Sequence, residues 1–191
     1  MNQQKIISFF DRCAPSWDEE QIRNEQVIEK ILNNGSIEND ARVLDVACGT
    51  GVLFPDYIKR GAVVTAVDIS PEMVKIARKN FPHINVICGD VEEFDFAEKF
   101  DSVMIYNAFP HFPNPQRLVE RLSTLLVEGG RLSVAHGMSR EALLKHHSGK
   151  AKKVSLELPE AQKLAKIFVP YFKVDVIISD NEMYQVSGIK R

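Results

Sequence analysis

Five short apolar runs mark the chain up to His136: Arg42–Ala47, Val63–Val67, Ile84–Cys88, Asp101–Tyr106 and Arg131–His136. Helix signals stand between most of them. Leu53, Phe54, Tyr57 and Ile58 share one helical face that stops at Gly61. Ser70-Pro71-Glu72 reads as an N-cap with proline at the first helical position. Asn114-Pro115 opens a stretch whose Leu118, Val119, Leu122, Leu125 and Leu126 fall on one side. Parallel strands need a long crossover, and a helix supplies it. The alternation therefore predicts right-handed βαβ units and a mainly parallel sheet covered on both faces.

The two ends of the chain break this rhythm. Ser16 to Gly35 carries a capping-box pattern, Ser16 followed by Glu19, and an apolar stripe of Val27, Ile28, Ile31 and Leu32. That predicts a helix ahead of the first strand. Pro159 opens another helix with Leu164, Ala165, Phe168 and Val169 inward. Then Phe172–Ser179 and Met183–Ile189 flank the turn Asp180-Asn181-Glu182, a connection short enough to require an antiparallel hairpin.

Composition narrows the class. A chain of 191 residues with 45% hydrophobic side chains builds its own core and needs no disulfide or metal staple. A formal charge of −2 gives no global field for nucleic acid or an anionic membrane. No apolar run approaches the ~20 residues of a membrane span. Cys13, Cys48 and Cys88 are an odd number, far apart and without CxxC spacing, as expected of reduced thiols in a cytoplasm. No repeat or linker marks a boundary, so one domain over residues 1–191 is expected, with residues 1–38 as a helical cap on a core of residues 39–191.

The chemistry concentrates where the first strand ends. Val43-Leu44-Asp45-Val46-Ala47-Cys48-Gly49-Thr50-Gly51 reads as strand, tight glycine turn and helix start, which lets a ligand approach the backbone closely. Asp68, 19 residues past Gly49, closes the second strand, where a carboxylate accepts from vicinal ribose hydroxyls. A dinucleotide fingerprint wants a small residue at the third glycine position, and Phe54 stands there, which argues against a dehydrogenase.

In these motifs the sequence resembles the class I S-adenosylmethionine-dependent methyltransferases, within the small-molecule group that includes the ubiquinone/menaquinone-biosynthesis enzymes. The resemblance runs from about Arg42 to about His136, and Phe9 to Asp18 is similar to the segment before those relatives' first helix. It implies a doubly wound Rossmann-like α/β sheet of seven strands in the order 3-2-1-4-5-7-6, with S-adenosyl-L-methionine as cofactor. Asp45, Ala47, Cys48, Gly49 and Gly51 would cradle its methionine end, with Ala47 standing where many members have glycine. Asp68 would hold the ribose, and Ile69 would lie against the adenine. Asp90, followed by Val91, matches the acid that accepts from the adenine amino group. Tyr106 and Asn107 match the fourth-strand end beside the transferable methyl, and Glu128-Gly129-Gly130 matches the family's Pro-Gly-Gly turn.

On the acceptor side, His111, His136 and His146 are candidate bases expected to converge around the methyl, because the fourth and fifth strands are neighbours in this fold. Phe9, Phe10, Trp17, Phe109 and Phe112 are candidates for an apolar pocket, and Lys145, Lys150, Lys152 and Lys153 form a local basic stretch. Imidazoles without defined ligand spacing do not make a metal site. The expected function is methyl transfer to a small molecule, with no nucleic acid and no membrane as partner. The alternative is a non-catalytic cofactor-binding module that acts through a partner protein.

Overall fold

The computed structural model describes residues 2–20, 23–146 and 154–191. Seven strands form one sheet: β1 (Arg42–Val46), β2 (Val63–Asp68), β3 (Asn85–Cys88), β4 (Phe100–Tyr106), β5 (Leu126–His136), β6 (Phe172–Ser179) and β7 (Tyr184–Lys190). Their order is β3-β2-β1-β4-β5-β7-β6. The first five run parallel, and β7 lies antiparallel between β5 and β6. The fold is the Rossmann-like one that the alternation of elements and the resemblance together imply.

Among the described residues seven α-helices flank the sheet: α1 (Gln3–Cys13), α2 (Glu25–Asn34), α3 (Phe54–Arg60), α4 (Pro71–Asn80), α5 (Pro115–Leu125), α6 (Arg140–His146) and α7 (Ala161–Phe168). Two apolar clusters form on the sheet. One gathers Leu44, Val46, Leu132 and Val134 with Leu118 and Leu122 of α5 and Leu164 and Phe168 of α7. The other joins Val43, Ala66 and Ala135 to α2, α3 and α4 through Ile28, Leu32, Tyr57 and Val74. Burial on both faces explains why β1 and β4 are buried at successive positions rather than at alternate ones.

Local chemistry sets the boundaries. Ser70 and Asn114 cap α4 and α5, accepting from the backbone N–H groups of Met73 and Arg117 at 3.2 and 3.1 Å, each with proline next in line. The hairpin turn closes on Asp180, whose Oδ1 accepts from Glu182 N at 2.9 Å and Met183 N at 2.8 Å.

Two expectations are corrected. The helix expected from Ser16 is instead a 3₁₀ segment, Ala14–Glu20, and α2 begins only at Glu25. Asn24 wins as the cap: its backbone is extended, and its side chain accepts from Val27 N at 3.2 Å. The glycine pair Gly129-Gly130 does not precede β5 but bulges within it. Phe100 pairs with Leu126 and Ser102 with Arg131, so the intervening residues loop out, with Gly129 at φ +76.

A buried polar ladder ties α2 to the far strands. Gln185 donates to Ile31 O at 3.1 Å and accepts from Asn34 at 2.9 Å, and Ser102 donates to Gly35 O at 2.9 Å. The carbonyls at the end of α2 are thereby satisfied away from water.

Candidate functional site at the carboxyl edge of the sheet

A cavity opens at the carboxyl ends of β1, β2, β3 and β4, where an open α/β sheet places its ligand. Asp45, Ala47, Cys48, Gly49, Asp68, Ile69, Asp90, Val91, Tyr106 and Asn107 all line it. Gly51 does not: it shapes the turn behind the cavity, at φ +94 with the Phe54 ring packed against its α-carbon.

The turn after β1 is bent sharply. Ala47 and Gly49 sit at φ +56 and +57, and across the sheet Asn107 at the end of β4 sits at φ +56. Two non-glycine residues in the left-handed region on one cavity wall mark backbone shaped for a ligand rather than for local comfort. Asn107 is held there by its own side chain, which accepts from Gly137 N at 3.0 Å.

Asp68 organises the wall. Its Oδ2 accepts from Gly49 N and its Oδ1 from Ser70 N, both at 2.8 Å, so one carboxylate joins the glycine turn to the start of α4. Burial raises its pKa, opposed by these backbone donors. Asp45 is 3% exposed and its carboxylate has no hydrogen-bond partner among the described residues; burial and then Asp68 push its pKa well above the ordinary carboxylate value. The Cys48 thiol is pushed up by burial and by the same two acids, which makes it a poor nucleophile.

The N-terminal segment spans the opposite side. Gln3, Ile6, Phe10 and Trp17 line the cavity, and the first of these also holds an acid: Gln3 Nε2 donates to Asp90 Oδ2 at 2.6 Å. Asp11 accepts from Ser70 Oγ at 2.6 Å and from Glu72 N at 3.3 Å, and Asp18 accepts from the Thr50 hydroxyl. Of the apolar candidates, Phe10, Trp17 and Phe112 line the cavity; Phe9 stacks edge-on against Phe10, and Phe109 is buried in the core.

The histidines separate. His111 lines the cavity, its Nδ1 2.9 Å from Val154 O and 3.2 Å from Ser155 Oγ, its ring edge-on to Phe10. His136 does not join it, which corrects the expected convergence. The two-residue period of β5 puts His136 on the side of Leu132 and Val134, fully buried with its ring edge-on to Tyr184. His146 closes α6, while His147 and Lys150 to Lys153 lie outside the described residues. Lys145 pairs with Glu141 at 3.0 Å on the surface of α6. Sequence reading missed Gln3, Glu92 and Pro113 as lining residues, since none belongs to a spaced motif.

Known proteins resemble the chain over the strands that build this cavity. A methyltransferase domain family matches residues 43–130, the stretch from β1 through the bulge of β5. Over that stretch, a little under half of the chain, this protein is similar to a methyltransferase domain. A ubiquinone biosynthesis O-methyltransferase from Coxiella burnetii is 36% identical over 95 residues, 47% of this chain and 41% of that protein. The match thus spans about two fifths of that relative's length. Magnesium protoporphyrin IX methyltransferase from Synechocystis, solved with S-adenosylhomocysteine, shares the fold at TM-score 0.74 and 16% identity over the whole of both chains. An N-methyltransferase from Bradyrhizobium japonicum, also solved with that product, aligns at TM-score 0.74 and 13% identity over 97% of this chain and 98% of its own. No helix among the described residues is long and apolar enough to cross a membrane.

Proposed function

We propose that this chain transfers a methyl group from S-adenosylmethionine to a small-molecule acceptor. One observation carries the reading: Asp45, Asp68 and Asp90, from the ends of three neighbouring strands, open on one cavity with the left-handed Gly49 turn. The residues fit the cofactor. Asp45, buried and without a partner among the described residues, suits the ammonium of the methionine moiety. Asp68 suits the ribose hydroxyls, and Asp90 suits the adenine amine, a donor of the kind that Gln3 now presents to it.

S-adenosylmethionine, when bound, would supply a methyl activated by its attachment to a positively charged sulfur, the C–S electron pair staying on sulfur. The protein's part is alignment, exclusion of water and removal of a proton. His111 takes that proton. Val154 O only accepts, so Nδ1 carries the hydrogen and the ring's basicity sits at Nε2. Residues 1–38 act as the cap, with α1 closing over the acceptor once both ligands are in place. Separated thiols and a cavity lined in part by Phe10, Trp17 and Phe112 support a cytoplasmic enzyme acting on a small molecule rather than on nucleic acid.

Incubation of the purified chain with S-adenosylmethionine and an acceptor panel should yield S-adenosylhomocysteine. Saturable binding without turnover across the panel would point instead to a binding module. His111→Ala should lower turnover by ~10²–10⁴-fold with cofactor affinity unchanged.

A further inference from the structure

Gly137 follows β5 and stands just behind the cavity wall. It is not a lining residue, but Tyr106 and Asn107 are, and both meet it. Its N–H donates to Asn107 Oδ1 at 3.0 Å, the bond that holds Asn107 in its left-handed backbone. Its α-carbon lies against the hydroxyl end of the Tyr106 ring. A β-carbon built there would overlap the Tyr106 hydroxyl and stand 3.1 Å from its Cζ. The backbone does not call for glycine here: unlike Gly49, Gly51, Gly61 and Gly129, Gly137 has no positive φ. Room for one phenol is what excludes a side chain at 137.

The chain around Gly137 is pinned. His136 before it is fully buried, Met138 after it packs on the core, and Ser139 Oγ accepts from Ala142 N at 3.1 Å at the start of α6. Tyr106 is buried on its other sides, and the opening beside it is the cavity. An added methyl would thus push the phenol rather than the glycine, and push it toward the ligand's space.

We propose that Gly137 is a positioning residue for the cofactor: its N–H sets Asn107, its bare α-carbon sets Tyr106, and together these fix the end of β4 beside the transferable methyl. This rests on the methyltransferase reading above. The stretch matched by the methyltransferase domain ends at residue 130, so Gly137 lies outside it. One residue at the end of the neighbouring strand governs two adjacent side chains of the wall. The coupling is specific in its chemistry. The obstacle to a methyl at 137 is the hydroxyl oxygen; without that oxygen the nearest ring carbon stands at 3.1 Å, a contact relieved by a shift of a few tenths of an ångström.

Calorimetry with S-adenosylhomocysteine on the full chain tests this in two backgrounds. Gly137→Ala should weaken binding roughly tenfold or more in the parent, but less than about threefold when Tyr106→Phe is already present. Thermal melting of the ligand-free proteins is read alongside. The fall caused by Gly137→Ala should likewise shrink once Tyr106→Phe has removed the hydroxyl. A parent that binds no S-adenosylhomocysteine would overturn the methyltransferase reading, while the melting comparison still decides whether Gly137 and Tyr106 are coupled. Should the single variant not fold, the double variant carries the test, and binding within about threefold of Tyr106→Phe alone supports the proposal. Unchanged affinity in Gly137→Ala, an equal loss in both backgrounds by either readout, or a double variant that does not fold would overturn it.

Discussion

On the strand side of the cavity, Asp68 is gripped by two backbone N–H groups and is only 8% exposed. On the helix side, Gln3, Asp11 and Asp18 reach across from a half-exposed or exposed segment, holding it mainly by side-chain hydrogen bonds. A buried hydrogen bond to a charged group contributes about 1.5–3 kcal/mol, whereas exposed ones are discounted by competing water. The difference teaches which wall is framework and which is gate. Strand ends set the ligand's position, and the helix closes afterwards at small cost.

The contrast is open to attack from both walls. Gly51→Val should do the most damage, since a β-branched side chain at φ +94 would also drive into the buried Phe54 ring. Its cost, roughly 3 kcal/mol or more, should appear as a fall of about 10 °C in the melting temperature. Removing residues 1–18 should leave a folded chain that binds S-adenosylhomocysteine but loses at least ~100-fold in methyl transfer, because alignment and closure are gone. Retention of full activity would show that α1 is no gate. Asp68→Ala should weaken cofactor binding by about 1.5–3 kcal/mol, roughly 10- to 150-fold by calorimetry.

The smallest effect concerns Asp45 in the ligand-free protein. Its folded pKa lies above the unfolded value, so the stability it contributes is present at low pH and is lost as pH rises through the raised pKa. Asp45→Asn removes the group that must ionise. The variant should melt a few degrees higher than the parent at pH 8, about 2–4 °C for each kcal/mol recovered, and match it more closely near pH 5. Thermal scans at the two pH values measure the difference, and a parent equally stable at both would show that Asp45 ionises without penalty.

Legibility divides along the same line as the two walls. The strand-side residues stand at fixed offsets within strand-turn-helix units, so Asp45, Gly49, Asp68 and Asp90 could be read from spacing and resemblance. The helix-side contacts join residues remote in sequence, 87 apart for Gln3 and Asp90 and 59 apart for Asp11 and Ser70. No local pattern encodes such a pairing. The start of α2 was misread for a related reason: the Ser16 signal is genuine as a motif, yet Asn24 offers the cap that the packed helix uses. His136 fell to strand period, which decides a side chain's face more strictly than its nearness to a strand end.

The place of β7 has a consequence for how the sheet is kept from pairing with other chains. β6 joins the sheet only through β7, which is paired on its other side with β5. The earlier strand of the hairpin is therefore held in the sheet only while the later one is in place. Without the hairpin, β5 offers a free parallel-sheet edge bearing Leu132, Val134 and Ala135, all fully buried in the finished protein. Any state of the chain in which the hairpin is undocked exposes that edge to pairing with a neighbouring molecule. The hairpin covers that edge, and its turn is local: Asp180 closes it through contacts no more than three residues apart.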